Sequence, residues 1–377
     1  MKRTFKFRIF PTKKQTNLLN QTLKECCWLY NHFLEERKIS WEEKGKSVNY
    51  YSQTTSLPKL KKEILSLANI HSQVLQNVAT RIDLAFKAFF RRVKEGQKPG
   101  YPRFKGKGWY DSFTYPQAGY KITHNGLELS KIGTIKIKQH RPIKGIIKNC
   151  TIKRTLTGKW YAYFVFETET NPLTHSNEAI GIDVGINSFA TFSNKKKIVN
   201  PHFFKTEEKA LAKAQRKMSK QKKNTPERRK AKKVVSRVHE RIANRRHNFA
   251  HQESKKIVDL FGIVCVEDLN IQRMMNGNYR SLNKSIGDVA WGQFTNFLAY
   301  KAENAGRQII LVNPAYTSQT CSECGHRKAK KLSCRIHSCS MCGFKTSRDH
   351  NASLNILSLG LQTLSLSQEA SAFRREE

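Results

Sequence analysis

The stretch Tyr316-Thr317-Ser318-Gln319-Thr320-Cys321-Ser322-Glu323-Cys324-Gly325, continued by Cys339-Ser340-Met341-Cys342-Gly343 and Arg348-Asp349-His350-Asn351-Ala352, sets the reading of the whole chain. Two C-x-x-C knuckles, each followed by glycine, offer four thiolates that can close a tetrahedral zinc site, and the glycines permit the left-handed turn such knuckles need. An all-thiolate, four-ligand site leaves no position for water. The metal expected on Cys321, Cys324, Cys339 and Cys342 is therefore one structural Zn2+. Cys334, in the loop between the knuckles, is a weaker competitor for it. Asp349 lies just beyond the ribbon and opens a helical run through Leu354 and Leu357, so the ribbon is read as holding something next to a working carboxylate.

Two more acids sit in telling contexts. Ala179-Ile180-Gly181-Ile182-Asp183-Val184-Gly185 reads as a buried strand carrying one acid, followed by a second strand over Phe189 to Phe192. Ile263-Val264-Cys265-Val266-Glu267-Asp268-Leu269-Asn270 again runs from apolar strand into acid, with Asp268 beside Glu267 leaving the choice between them open. An acid in an apolar strand is costly unless compensated, and divalent metal is a common compensation. Asp183, Glu267 and Asp349 meet only if the strands share a sheet and the last helix crosses its face, which is how an RNase H-like domain is built. Three such oxygen ligands could hold two Mg2+, or Mn2+, roughly 4 Å apart for phosphodiester hydrolysis.

Composition bounds the partners. Lys+Arg of 69 against Asp+Glu of 29 gives a net charge of +40 and a pI near 10.1. Such a field in a chain rich in aromatics points to nucleic acid, ahead of an acidic membrane surface or the ribosome. No apolar run reaches the length of a membrane span, and Met1-Lys2-Arg3-Thr4-Phe5 lacks the features of a signal peptide, so the expected location is the cytosol and nucleoid, with no membrane partner. The nine cysteines form an odd, uneven set suited to a reducing compartment, with Cys26, Cys27, Cys150 and Cys265 as buried apolar fillers.

The N-terminal half reads as a β-domain with a helical insertion. Lys2 to Phe10 alternates as a half-buried strand. Helices are expected over Gln15 to Glu36, around Leu60, Ile64 and Leu67 after Pro58, and along a core stripe of Val74, Val78, Ile82, Phe86, Phe89 and Val93. At the head of that stripe Gln73, Gln76 and Asn77 carry amides that could read base edges. The loop Gly100 to Lys105, with Arg103 and Lys105, mixes base-stacking and phosphate-pairing residue types. Alternating runs at Ser112–Tyr115, Leu127–Leu129, Gly133–Lys138, Cys150–Arg154 and Trp160–Glu167 suit an antiparallel barrel or sheet. Farther on, residues 206–246 are densely basic. Arg237, Arg241 and Arg245 share one face, with so few acids nearby that phosphate contact is favoured over mutual neutralisation. A helix over Trp291 to Gly306 and a strand over Ile309 to Val312 lead into the ribbon. The Ser-rich segment 361–377 is expected to be disordered.

The order of these motifs, from Gly-Ile-Asp-Val-Gly through Val-Glu-Asp-Leu-Asn and the two knuckles to Arg-Asp-His-Asn-Ala, resembles the TnpB family, RNA-guided nucleases of bacterial insertion sequences and forebears of type V CRISPR effectors. The resemblance implies an α/β plus β-barrel architecture: a wedge β-barrel over 1–12 and 105–172, a helical recognition insertion over 13–104, and a RuvC-like nuclease domain over 179–312 and 345–360. A basic helical hairpin at 205–247 belongs to the nuclease domain, and the zinc ribbon, 313–344, is inserted before its third acid. It also implies a transposon-encoded guide RNA, a double-stranded DNA target flanked by a short motif, and a monomer or dimer on one RNA. Ser112 and Thr114 join the base-reading candidates partly by this analogy. Ser347 departs from the pattern, since many relatives carry Asp there. The alternatives are a catalytically silent RNA-guided repressor of the same fold, a transposase that performs strand transfer, and a zinc-ribbon binder without catalysis.

Overall fold

Alternation along β1 (Lys2–Phe10) buries Phe7 and Ile9, while on its other side Lys6 lies over the ring of Tyr161. The computed structural model describes residues 1–106, 108–276, 279–331 and 333–376, with backbone alone from 367 on. Two compact units divide the chain at residues 169 and 170.

In the first unit, a reciprocal cap between Thr12 and Gln15 starts α1 (Lys13–Lys44), and Gly45, at φ 60°, ends it. After it come α2 (Tyr50–Glu63), α3 (Leu65–Ala68) and α4 (Ser72–Lys94). The helix expected to follow Pro58 begins instead at Tyr50. Asn49 and Ser52 cap each other there, and Pro58 is carried inside α2 at the cost of one internal hydrogen bond. The α4 stripe is core from Val74 to Ile82. Val93, also expected inside, is exposed because the helix outruns the body it packs on.

These helices are inserted between β1 and β2 (Ser112–Tyr115). The strands β3 (Tyr120–Thr123), β4 (Gly126–Leu129), β5 (Gly133–Lys138), β6 (Ile146–Arg154) and β7 (Trp160–Glu167) complete a seven-stranded antiparallel sheet. Its order is β2-β6-β7-β1-β5-β4-β3. The rings of Tyr115 and Tyr120, on the two end strands, lie 6.4 Å apart, so the sheet curls into a nearly closed barrel.

The second unit is built on a five-stranded sheet of order β10-β9-β8-β11-β12. Its first three strands, β8 (Ala179–Val184), β9 (Ser188–Phe192) and β10 (Lys197–Val199), form an antiparallel meander. The basic hairpin α5 (Phe203–Ser219) and α6 (Pro226–Leu260) leads to β11 (Ile263–Glu267). Next come α7 (Ile271–Met275), α8 (Arg280–Val289), α9 (Trp291–Ala305) and β12 (Gln308–Val312). Strand β11 runs parallel to both β8 and β12. The ribbon strands β13 (Ile336–Ser338) and β14 (Lys345–Ser347) precede α10 (Arg348–Glu376).

Period-two alternation sorts this sheet into two faces. Ile180, Ile182, Val264 and Val266 pack with Phe294 and Leu298 of α9, whereas Cys265 and Val312 pack with Ile356 of α10. The segment expected to be disordered continues α10 to Glu376, with Glu377 outside the described residues. After Gly360 no Gly or Pro interrupts the chain, and Leu, Gln, Ala, Glu and Arg, all good helix formers, outnumber the serines among them. Among the described residues no helix is long and apolar enough to cross a membrane.

Candidate metal centres

The α10 face of the sheet is where the acids collect. Gly181 and Cys265 are register partners on that face, and two residues further along each strand stand Asp183 and Glu267. Both acids are therefore at the carboxyl ends of neighbouring parallel strands, the usual place for sites in such sheets. Helix α10 can lie this close because of two glycines. A Cβ on Gly181 would run into the Ser353 carbonyl oxygen and come within 2.7 Å of the Leu357 nitrogen, and one on Gly360 would collide with the Cys265 sulfur. Asp349 lies in the first turn of α10, near enough for its charge to act on Asp183. Gly181→Val is expected to destabilise the chain by about 3 kcal/mol, a fall of roughly 10 °C in Tm, by pushing α10 off the sheet. A thermal melt reads this directly, and an unchanged Tm would mean that the close approach is not required.

Electrostatics reports the convergence. Burial raises the Asp183 carboxyl well above its ordinary value, and the charges of Glu267 and Asp349 push it the same way, with Arg348 opposing them. Burial also raises Glu267, against a hydrogen bond that it accepts from Thr317. Asp268, the rival second acid, is exposed and spends its backbone N–H on Val312. Three half-buried carboxylates with one nearby guanidinium form a set of hard oxygen donors suited to divalent cations.

The four knuckle cysteines form the second cluster. Their sulfurs all lie within 4.8 Å of one another, with Cys321 to Cys342 at 3.7 Å and Cys324 to Cys339 at 3.6 Å. Thiolates at about 2.3 Å from a tetrahedral zinc would be spaced about 3.8 Å, so the set fits that ion. Gly325 and Gly343 both take φ 74°, as the knuckle turns need. Backbone N–H groups of Cys342 and Met341 pull the Cys339 thiol down to about 6. Cys334 faces the Ile336 carbonyl oxygen, outside the cluster. The ribbon's entry turn is pinned to α10: Asn351 Nδ2 donates to the Thr320 carbonyl at 2.7 Å, Asn355 Nδ2 donates to the Thr317 carbonyl at 2.8 Å, and the Ser322 N–H donates to Asn351 Oδ1. Ser347 Oγ accepts from the His350 N–H, capping α10 as an Asp in its place could.

The base-reading candidates fall into one group and some outliers. Arg81 of α4, not singled out from the sequence, ties most of them together. It donates to Asn77 Oδ1, the Ser112 carbonyl and Thr114 Oγ1. Gln73 accepts from the Ala118 N–H, and Gln76 is exposed. Arg103 is exposed, whereas the Lys105 backbone is held at both ends by Asn31 and its ammonium lies 5.5 Å from the Tyr30 ring. On α6, Arg237 is exposed but Arg241 and Arg245 converge on Glu207 of α5, at 3.0 and 3.5 Å. The acid that meets Arg241 and Arg245 thus comes from the facing helix, which spacing along one helix could not reveal.

Comparison with known proteins gives this arrangement its class. Residues 163–278 match a family described as "Probable transposase" (OrfB of IS605), residues 291–356 a "Cas12f1-like, TNB domain", and residues 1–46 a "Helix-turn-helix domain". The last label does not describe what is folded there, a strand followed by one long helix. A solved Cas12f1 complex with guide RNA and target DNA superposes with a TM-score of 0.56 at 16% identity, over 92% of this chain and 83% of that one. The fold is accordingly that of the small RNA-guided effectors. Two relatives named "Putative RNA-guided DNA endonuclease" align over nearly the full length. The one from Streptomyces pristinaespiralis is 32% identical over 96% of this chain and 90% of its own. The other, InsQ of Escherichia coli K12, is 31% identical over 94% and 92%. The chain belongs to the TnpB family of RNA-guided DNA endonucleases.

Proposed function

We propose that this chain is an RNA-guided, Mg2+-dependent DNA endonuclease of a transposable element, working in the bacterial cytosol and nucleoid as a monomer or dimer on one RNA. The observation that carries this reading is that burial and the nearby charges of Glu267 and Asp349 all raise the cost of charging Asp183 on the α10 face of the second-unit sheet. We read residues 179–312 with 345–360 as an RNase H-like, RuvC-type domain. Residues 1–12 and 105–172 are then the wedge barrel around the recognition insertion 13–104. Asp183, Glu267 and Asp349 are assigned to two Mg2+ or Mn2+ ions, and Cys321, Cys324, Cys339 and Cys342 to one structural Zn2+. When bound at the acids, such ions supply Lewis-acid activation of the phosphate and of the attacking water. The chain's own contribution is rigid placement: two strand ends and one helix start hold the carboxylates while burial keeps bulk water from screening them.

Sequence would be read by base pairing between a transposon-encoded guide RNA and one DNA strand, leaving the protein to supply a positive channel and a few base-edge contacts at a short flanking motif. Gln73, Gln76, Asn77, Ser112 and Thr114 are assigned to those contacts, and Arg103, Lys105, Arg237, Arg241 and Arg245 to the backbone. With six to ten phosphates contacted, RNA affinity is expected to fall by about 1,000-fold or more between 50 and 200 mM salt. A flat titration would remove the basic-channel reading. The decisive experiment is to sequence the RNA that copurifies with the protein, then offer a plasmid carrying the matching target with Mg2+ or with EDTA. Linearisation only with Mg2+ is expected. Tight binding without cutting would favour a silent repressor, and end-joined products would favour strand transfer.

A further inference from the structure

We propose that Thr317 is a positioning residue for the acid centre: its hydroxyl holds Oε1 of Glu267, leaves Oε2 free of that bond, and so sets the affinity of the centre for divalent ions. The inference rests on the nuclease reading above. Thr317 Oγ1 donates to Glu267 Oε1 at 2.6 Å, a short bond to a charged acceptor. The Pro314 carbonyl, at 3.2 Å, is the other acceptor within reach. A threonine hydroxyl has one proton to give, and the shorter, charge-assisted partner takes it. Thr317 is 5% exposed, so water does not compete freely for that proton.

The turn that delivers this hydroxyl is constrained from several sides. Tyr316 takes φ 66°, a left-handed conformation that side chains other than glycine adopt only when their surroundings enforce it. Its carbonyl accepts from the N–H groups of Gln319 and Thr320, and the Arg327 guanidinium lies 3.1 Å from its ring centroid. On the next residue, Asn355 of α10 grips the Thr317 carbonyl. The helix that carries Asp349 thus also fixes the group that orients Glu267. Groups that hydrogen-bond a metal-binding carboxylate or imidazole in this way orient it, and their loss commonly costs 10–100-fold in metal affinity or activity.

The test compares Thr317→Val, which keeps the shape and removes the hydroxyl, with Thr317→Ser, which keeps the hydroxyl. In the RNA-bound protein, Thr317→Val is expected to raise the Mg2+ concentration for half-maximal cleavage by about 10–100-fold. Zinc content and target-DNA binding should stay at parent values, and Thr317→Ser should lie within a few-fold of the parent. A second readout needs no turnover: the rise in Tm of the full-length chain on adding Mn2+ should shrink in Thr317→Val and persist in Thr317→Ser. An unchanged Mg2+ requirement and an unchanged Mn2+ response in Thr317→Val would overturn the proposal. So would equal damage in both variants with loss of zinc, which would make Thr317 a structural part of the ribbon. Asp183→Ala, run alongside, separates the two levels: if it still cuts, the nuclease reading fails whatever Thr317 does.

Discussion

Asp183→Ala, in the RNA-bound protein, is expected to reduce Mg2+-dependent cleavage to background while target binding stays within a few-fold of the parent. A loss of at least about 1,000-fold corresponds to roughly 4 kcal/mol of transition-state stabilisation, a plausible share for one of three ligands in a metal-assisted hydrolysis. Loss of binding together with cutting would make Asp183 a structural residue. Asp183→Asn adds a measurement independent of activity. Because burial and its two acidic neighbours raise Asp183 in the folded chain, the folded state retains a proton there that the unfolded state has released. Stability at this group therefore declines as pH rises through the unfolded value, near 4, and the whole penalty is present above the folded value. With chelator present, Asp183→Asn should melt above the parent at pH 7.5, and the gap should close as pH falls toward about 4. Added Mg2+ should narrow it by stabilising the parent alone. Identical melting at every pH would argue that the three carboxylates do not share one environment.

Cys339→Ser or Cys324→Ser is expected to take bound zinc from about one per chain to none and to free the ribbon. Structural zinc sites in small domains contribute on the order of 10 kcal/mol of folding free energy, more than the residues of this ribbon could replace by packing. Hydrogen exchange should rise sharply over residues 316–325 and 336–347, with the core of the barrel unaffected. Cleavage should fall by at least about 100-fold, since Thr317, Thr320 and Ser322 dock on α10 and the bond to Glu267 comes from the same turn. Retained zinc and protection in both variants would mean that the four sulfurs do not act as one site.

Much of this architecture was legible because particular side chains leave little choice. Gly133–Lys138 alternates so strictly, and Trp160–Glu167 is so rich in aromatic residues, that their limits agree with the structure. Strands β3, β10, β13 and β14, three or four residues long, carry no period that sets them apart from the loops beside them, although the equally short Ser112–Tyr115 and Leu127–Leu129 do. Pro58 suggests a helix start, but the reciprocal caps of Asn49 and Ser52 are the stronger signal and place the start of α2 at Tyr50. The meeting of the three acids could be argued from strand, strand and helix contexts. Preference for Glu267 over Asp268 could not, because it depends on which neighbour points toward α10. Nor could Glu207 be matched to Arg241 and Arg245, or Arg81 to Asn77 and Thr114, since these partners are distant in sequence and meet only when helices and strands pack.

The order in which the acids occur along the chain bears on how the protein is made. Glu267 emerges well after Asp183, and Asp349 follows after roughly 80 more residues, which takes several seconds at ordinary rates of translation. During that interval the nascent polypeptide carries two of its carboxylates and lacks the third. A product cut short by a premature stop between β11 and α10 is left in the same condition. If the three acids are the cutting centre proposed above, a host harbouring such fragments would carry basic, nucleic-acid-seeking chains that lack the means to break its chromosome.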